Sequence, residues 1–338
     1  MRSYDPAQDF LRTHGWAHAQ RALLAGDASA RRYERITSPE ASAILMVLPP
    51  DSAALADRFL RVTSWLRGFG FSAPEVYATE TARGLILLED LGDTLLLRLC
   101  DAEPSLERPL YEAAIDVLAD LQSQSLPPDD KSFPAYDRAT LLRESGLALD
   151  WYSMTEQGET ALAEHREALE THLAHALDAL AITDAVAVYR DYHAENLLWL
   201  PDRRGRARIG MLDYQDMLVG YPAYDVVSLL EDARRDVCPS LAKDMTARYV
   251  NQMALDEEHY RYAAALLSAQ RNLKILGIFA RLARRDGKRR YLGNLPRVWK
   301  YLTRDLAHPD LADLRKHVFQ VFAPPEGPYL KRLANEAA

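Results

Sequence analysis

In the stretch VYRDYHAENLLWL, residues 188–200, Asp191 is followed five positions later by Asn196, with apolar runs on both sides. A further apolar run, IGMLDYQD, ends in Asp213. These residue types at these places suit phosphoryl transfer from a nucleotide. Such a transfer needs a carboxylate beside the acceptor hydroxyl, and hard oxygen ligands for the metal ions that bridge the phosphates. Arg-Asp-x4-Asn, an apolar strand, a turn, a second strand and then Asp is the spacing in which one Asp faces the acceptor while the Asn and the second Asp bind metal. Standing alone, Asp-x4-Asn would read as polar residues closing a hairpin, and the joint pattern makes that the weaker reading. Zinc through His193 is disfavoured as well, because one His among hard oxygen donors suits Mg²⁺ better. Downstream, GYPAYDVVSLL places Asp225 at the start of an apolar helix. Its role there is structural, like that of Arg190: a helix cap, or a buried carboxylate that accepts hydrogen bonds from the catalytic-loop backbone.

Elements that could position these groups are legible along the chain. YDPAQDFLRTHGW reads as a short helix capped by Asp5, with Pro6 in its first turn. RALLA, RRYERI and SAILMVL read as strands, the first two joined by the tight turn GDAS. DSAALADRFLRVTSWLRGFG has apolar residues at helical spacing, and EVYAT and GLILLEDLGD add two more strands. From about residue 105 to 181 the pattern is helical, interrupted by SLPPDDKSFP; AVAVY, NLLWL and ARIGMLD are then strands, and helices follow Tyr224. The expected fold is α+β, with residues 1–91 forming a small nucleotide-binding lobe, an antiparallel sheet plus a helix. Residues 92–338 form a larger, mainly helical lobe that carries the catalytic loop and the substrate site.

Composition narrows the partners. At 338 residues the chain is long for one core, and 48% hydrophobic with 27% charged residues is ordinary for a soluble globular protein. A net charge of −8 argues against nucleic acid as the main partner. Two cysteines, Cys100 and Cys238, exclude a disulfide scaffold or a cysteine zinc site and suit a reducing compartment. The N-terminus is charged where a signal peptide needs an apolar core, and no run approaches 18 apolar residues. The expectation is a cytoplasmic protein without a membrane span, acting on a small molecule.

YRDYHAENLLW, IGMLDYQD and YPAYDVVSLL resemble the aminoglycoside phosphotransferase and choline kinase group, which has the two-lobed protein-kinase-like fold. LAGDASARRYERI, LILLEDLGD and QRNLKILGIFARLARRDGKRRYLGNLPRVWKYL are similar, more narrowly, to the bacterial anomeric kinases for N-acetylmuramate and N-acetylglucosamine. That resemblance covers about residues 20–320. It implies an ATP- and Mg²⁺-dependent kinase that phosphorylates the C1 hydroxyl of an amino sugar in cell-wall recycling. It also implies Asp191 as the catalytic base, Asn196 and Asp213 as the Mg²⁺ ligands, and Gly26, Asp27, Ala28 and Ser29 as the turn over the ATP phosphates. The hinge backbone from Glu89 to Leu91 would meet the adenine edge.

One element of the pattern is missing. Kinases of this fold carry a Lys on the third strand to hold the α- and β-phosphates, yet SAILMVL has none and the first lysine of the chain is Lys131. Arg31, Arg32 and Arg35 follow the GDAS turn. Alternation puts Arg31 and Arg35 on one strand face and Arg32 on the other, and Arg32 or Arg35 is the expected substitute. A second feature is basic: residues 261–304 hold twelve Lys or Arg and a single acid, Asp286. On one helix Arg271, Lys274, Arg281 and Arg285 fall within an arc of about 80°. This face either forms internal ion pairs or meets an anionic substrate, and it disfavours a polycationic aminoglycoside. Arg271 and Lys274, with His193, Asp216 and Asp232, are the expected acceptor contacts. A same-fold kinase for an aminoglycoside, choline or another sugar, and a nucleotide-binding pseudokinase, are the rival readings.

Overall fold

The computed structural model describes residues 5–24, 31–50, 52–127, 133–153, 158–180 and 185–335. The expected phosphate turn, Gly26 to Ser29, lies outside the described residues. The strands are β1 (Gln20–Leu23), β2 (Arg32–Thr37), β3 (Ser42–Val47), β4 (Val76–Glu80), β5 (Leu85–Glu89), β6 (Val186–Val188), β7 (Leu197–Trp199), β8 (Ile209–Met211) and β9 (Leu218–Gly220). The α-helices are α1 (Pro6–Thr13), α2 (Ala53–Gly68), α3 (Leu96–Ala102), α4 (Glu107–Gln122), α5 (Arg138–Leu147), α6 (Gly158–Ala179) and α7 (Ala223–Leu230). They continue with α8 (Pro239–Gln252), α9 (Glu257–Arg284), α10 (Leu295–Asp305), α11 (Ala312–Val321) and α12 (Gly327–Asn335). Among the described residues no helix is long and apolar enough to cross a membrane.

Contacts gather the chain into two compact units, one of Met1–Leu121, Pro127–Phe133 and Ala194–Met217, the other of Gln122–Leu126, Pro134–His193 and Leu218–Ala338. The first is built on an antiparallel sheet in the order β1-β2-β3-β5-β4. Period-two alternation sends Ile36, Ala43, Leu45, Leu85 and Leu87 to one face, where Phe10 and Leu11 of α1 cover them. The start of α1 is fixed as its residues predict: Asp5 Oδ1 accepts from the amides of Ala7 at 3.0 Å and Gln8 at 3.4 Å.

The β7–β8 hairpin belongs to this first unit because its backbone is tied there. Trp199 N–H donates to Thr94 O at 2.8 Å and Met211 N–H to Ser72 O at 2.9 Å. Arg206, in the connection between the two strands, pairs with Asp120 at 2.9 Å. The division expected after residue 91 therefore marks the end of the sheet, and the compact units cut the chain differently. One strand escaped the sequence reading. Leu218–Gly220 pairs with β6, so the central β segment is two separate two-stranded ladders, β6-β9 and β7-β8.

In the second unit α9 is the central helix. Leu266 to Leu273 are buried without a break, so neighbours cover every face. Several of those residues are polar and are hydrogen-bonded inside: Gln270 Nε2 donates to Leu141 O at 3.0 Å and Asn272 Nδ2 to Ser268 Oγ at 3.0 Å. The approach of α5 to α9 depends on Gly277. A Cβ there would stand 2.3 Å from the Leu147 carbonyl carbon and oxygen. Leu147 cannot retreat cheaply, because α5 passes directly into a π-helical turn at Ala148–Tyr152. Gly277→Ala is expected to cost at least about 1–3 kcal/mol by overpacking, lowering the thermal unfolding midpoint by several degrees. An unchanged midpoint would show that the two helices part freely at this crossing.

Candidate active site

Asp191 is positioned from below by a carboxylate it does not touch in sequence. Asp225, in the first turn of α7, is fully buried. It accepts from the amides of Tyr189 at 2.7 Å and Arg190 at 2.8 Å, and from Gln122 Nε2 at 3.1 Å. Burial pushes its carboxyl up to about 7 against the pull of those three donors. These bonds hold the two residues before Asp191, and Arg190 adopts φ 75°, a left-handed conformation unusual for an arginine.

The Arg190 side chain is anchored as firmly as its backbone. Its Nη2 lies 2.5 Å from Glu144 Oε1, and its guanidinium stands 5.5 Å from the Tyr136 ring centre. Glu144 also takes Lys274 Nζ at 3.0 Å and the Tyr136 hydroxyl. Burial alone would raise the Glu144 carboxyl, but the Lys274 and Arg190 charges hold it below the usual range. The outcome is a strained backbone turn, fixed on both sides, that sets the direction of Asp191. Asp225 and Arg190, expected in structural roles, meet the loop backbone and Glu144 respectively. Glu144, Gln122 and Tyr136 carried no signal in the sequence, being ordinary helix and loop residues until the fold places them.

In the first unit the β7–β8 hairpin carries Asn196 and Asp213. Leu212 N–H donates to Asn196 O at 3.0 Å, which extends the pairing one step past Leu197 and Met211 and leaves Asp213 next in the chain. Asp213 also has a left-handed backbone, φ 59°. Its Oδ1 accepts from Gln215 Nε2 at 2.8 Å and from Arg31 Nη1 at 3.1 Å, and its side chain is 48% exposed. An amide oxygen and an accessible carboxylate are hard donors, of the kind that suits Mg²⁺ rather than a softer ion.

Of the three arginines after the phosphate turn, Arg31 is the one beside Asp213. Its second terminal nitrogen lies 3.6 Å from Asp216 Oδ2, and Arg58 of α2 approaches the other Asp216 oxygen at 3.4 Å. Arg35 shares its face, as alternation predicts, but is held by Asp90 at 2.8 Å and Asp93 at 2.6 Å. Arg32 is on the other face, 54% exposed, beside Glu34 at 3.1 Å. Near the hinge the Glu89 carboxylate binds Arg203 and, at 3.1 Å, the Glu75 amide, so its side chain has a structural role. Leu91 is half-buried, and its side chain packs beside Gly210 of β8.

The expected acceptor contacts divide. His193, Asp232 and Arg271 gather in the second unit: Asp232 and Arg271 both act electrostatically on the His193 ring, and Arg234 Nη1 lies 3.4 Å from its Nε2. Burial, reinforced by Arg234, pushes the imidazole down to about 3, so it is neutral at physiological pH. Lys274 is placed elsewhere, in the Glu144 ion pair, and Asp216 lies in the first unit between Arg31 and Arg58. Other members of the basic segment pair with acids of the same unit, Arg285 with Asp286, Arg297 with Asp236 and Arg304 with Glu231 and Asp305.

Comparison with known proteins places this arrangement. The N-acetylmuramate/N-acetylglucosamine kinase of Caulobacter vibrioides is 38% identical, over 90% of this chain and 93% of that protein. The protein of the same name from Pseudomonas aeruginosa is 34% identical, over 89% of each. Among solved structures, the ADP-bound aminoglycoside phosphotransferase APH(2'')-Ib superposes with a TM-score of 0.62 at 15% identity, covering 92% of this chain and 99% of that one. Choline kinase LicA from Streptococcus pneumoniae gives 0.56 at 11% identity, covering 96% of both. These likenesses establish the α+β, protein-kinase-like fold. The model of the phosphotransferase enzyme family matches residues 20–266, and the chain belongs to that family.

Proposed function

We propose that this phosphotransferase moves the γ-phosphoryl group of ATP to the C1 hydroxyl of an N-acetyl amino sugar, N-acetylmuramate or N-acetylglucosamine, in the cytoplasm. The observation that carries the reading is the turn before Asp191. Its amides are bound by buried Asp225 and its arginine is clamped by Glu144. A fold that sustains such a strained turn is holding one carboxylate in one direction. The acceptor class comes from the named relatives, which match nearly the whole chain.

In this reading Asp191 orients the C1 hydroxyl and accepts its proton as the oxygen bonds to the γ-phosphorus and the bond to the ADP oxygen breaks. A hemiacetal hydroxyl is more acidic than an ordinary alcohol, so a weak base suffices. Asn196 and Asp213 would hold Mg²⁺, which supplies neutralisation of phosphate charge when bound. Arg31, beside Asp213, takes the part of the absent strand lysine, and its planar fork suits a bidentate phosphate contact. The hinge backbone at Glu89 to Leu91 receives the adenine.

ATP consumption across N-acetyl amino sugars, aminoglycosides and choline tests the acceptor. Turnover is expected with N-acetylmuramate and N-acetylglucosamine, with phosphate on C1, and is expected to cease when Mg²⁺ is chelated. Turnover of kanamycin-type substrates but not of amino sugars would overturn the substrate assignment. ATP binding with no turnover across the panel would leave a pseudokinase.

A further inference from the structure

The group around His193 has an imbalance that the fold leaves unresolved. Asp232 is fully buried, and its Oδ1 accepts from the Arg234 amide at 2.9 Å. Its Oδ2, also buried, has no hydrogen-bond partner among the described residues. Arg271 is 4% exposed. One terminal nitrogen donates to Ser228 Oγ at 2.9 Å, while the other, Nη1, is buried without a partner. A buried charged group whose hydrogen-bonding atom is unmatched is costly, and here two of opposite sign face one histidine. With His193 neutral, Arg234 and Arg271 against Asp232 leave a net charge of about +1.

A ligand that completes this group must present a hydroxyl donor and an acceptor, and the net charge favours an anionic acceptor. Position supports an acceptor subsite: His193 follows Asp191 by two residues, and its amide donates to Asp191 O at 3.0 Å. Lys274, on the same helix, is instead engaged with Glu144, a carboxylate it shares with Arg190. Among the described residues the hydrogen bond of Arg271 goes to a neutral hydroxyl and no acid pairs with it, so its charge is available.

We infer that Arg271 and Asp232 form the acceptor-sugar subsite, Arg271 binding an anionic substituent of the sugar and Asp232 accepting from a ring hydroxyl. This rests on the amino-sugar reading above and adds the cause of discrimination within that class. N-acetylmuramate carries a carboxylate on its ether side chain, N-acetylglucosamine a hydroxyl at the same carbon, so Arg271 distinguishes the two.

The test compares kcat/KM for both sugars in the full-length enzyme. Arg271→Gln is expected to lower kcat/KM for N-acetylmuramate about 30-fold, the scale of one hydrogen bond to a charged group, through KM. N-acetylglucosamine should change less than about threefold and the KM for ATP should not move. Arg271→Lys should recover part of the preference, and Asp232→Asn should weaken both sugars without changing their ratio. The wild-type enzyme offers a route that does not depend on folding of a variant: the methyl ester of N-acetylmuramate, its carboxylate neutralised, should lose about the same factor of 30. Equal losses for both sugars in Arg271→Gln, or an ester as good as the acid, would overturn the inference while leaving the kinase reading intact. A wild-type enzyme that phosphorylates neither sugar would overturn both.

Discussion

Asp191→Ala is expected to lower kcat by about 10³–10⁴-fold while ATP affinity and stability stay near wild type. The size follows from its proposed work, since general-base catalysis with orientation of the nucleophile contributes on this scale. The expectation for stability follows from the contacts. The loop is held by Asp225 through the amides of Tyr189 and Arg190. Removing Asp191 also removes a negative charge that opposes ionisation of buried Asp225. Asp225 is no replacement base, because it is fully buried and committed to three donors. The measurements are ADP release with the preferred sugar and calorimetric ATP binding. A variant that keeps more than a tenth of wild-type kcat would remove Asp191 from the chemistry. One that loses ATP binding with kcat would make it a structural residue.

What the residues alone made legible was local. The five strands of the first sheet follow from alternation and turn composition, and Asp5 caps its helix as the residue type predicts. Asp191, Asn196 and Asp213 are the proposed site residues that spacing alone singles out, because that loop–hairpin–Asp order is continuous in the chain. Everything that depends on a distant partner was out of reach. Lys274 and Arg271 share a helix face, and periodicity could not separate them. Glu144 of α5 pairs with Lys274, while Arg271 donates to Ser228 and faces His193. Strand β9 is three residues long and runs straight into Tyr221-Pro222, too short to carry a period, and it exists because β6 offers it a ladder. The basic segment left internal ion pairs and an anion-binding face both open, and only the fold separates its members: on α9 Lys274 meets Glu144, while Arg284 donates to the Trp151 carbonyl.

The choice among Arg31, Arg32 and Arg35, before and within β2, shows the same boundary, and it yields the second large effect. Arg31→Met is expected to lower kcat/KM for ATP by about 10²–10³-fold, the loss typical of one preorganised donor to developing charge. Alternation grouped Arg31 with Arg35, and only a contact spanning 182 residues identifies which of them stands at Asp213. Arg35 is bound by two carboxylates at the hinge, so Arg35→Met should act on stability and only modestly on turnover. Arg32 is more than half exposed in a surface pair worth roughly 0–1 kcal/mol, and Arg32→Met should be near wild type in both. Arg31→Lys discriminates further: an ammonium keeps the charge but not the fork, so it should restore part of the ATP KM and less of kcat. Steady-state kinetics on the four variants decides the assignment. A large loss in Arg35→Met or Arg32→Met beside a near-normal Arg31→Met would return the phosphate contact to the residue first expected from the strand pattern.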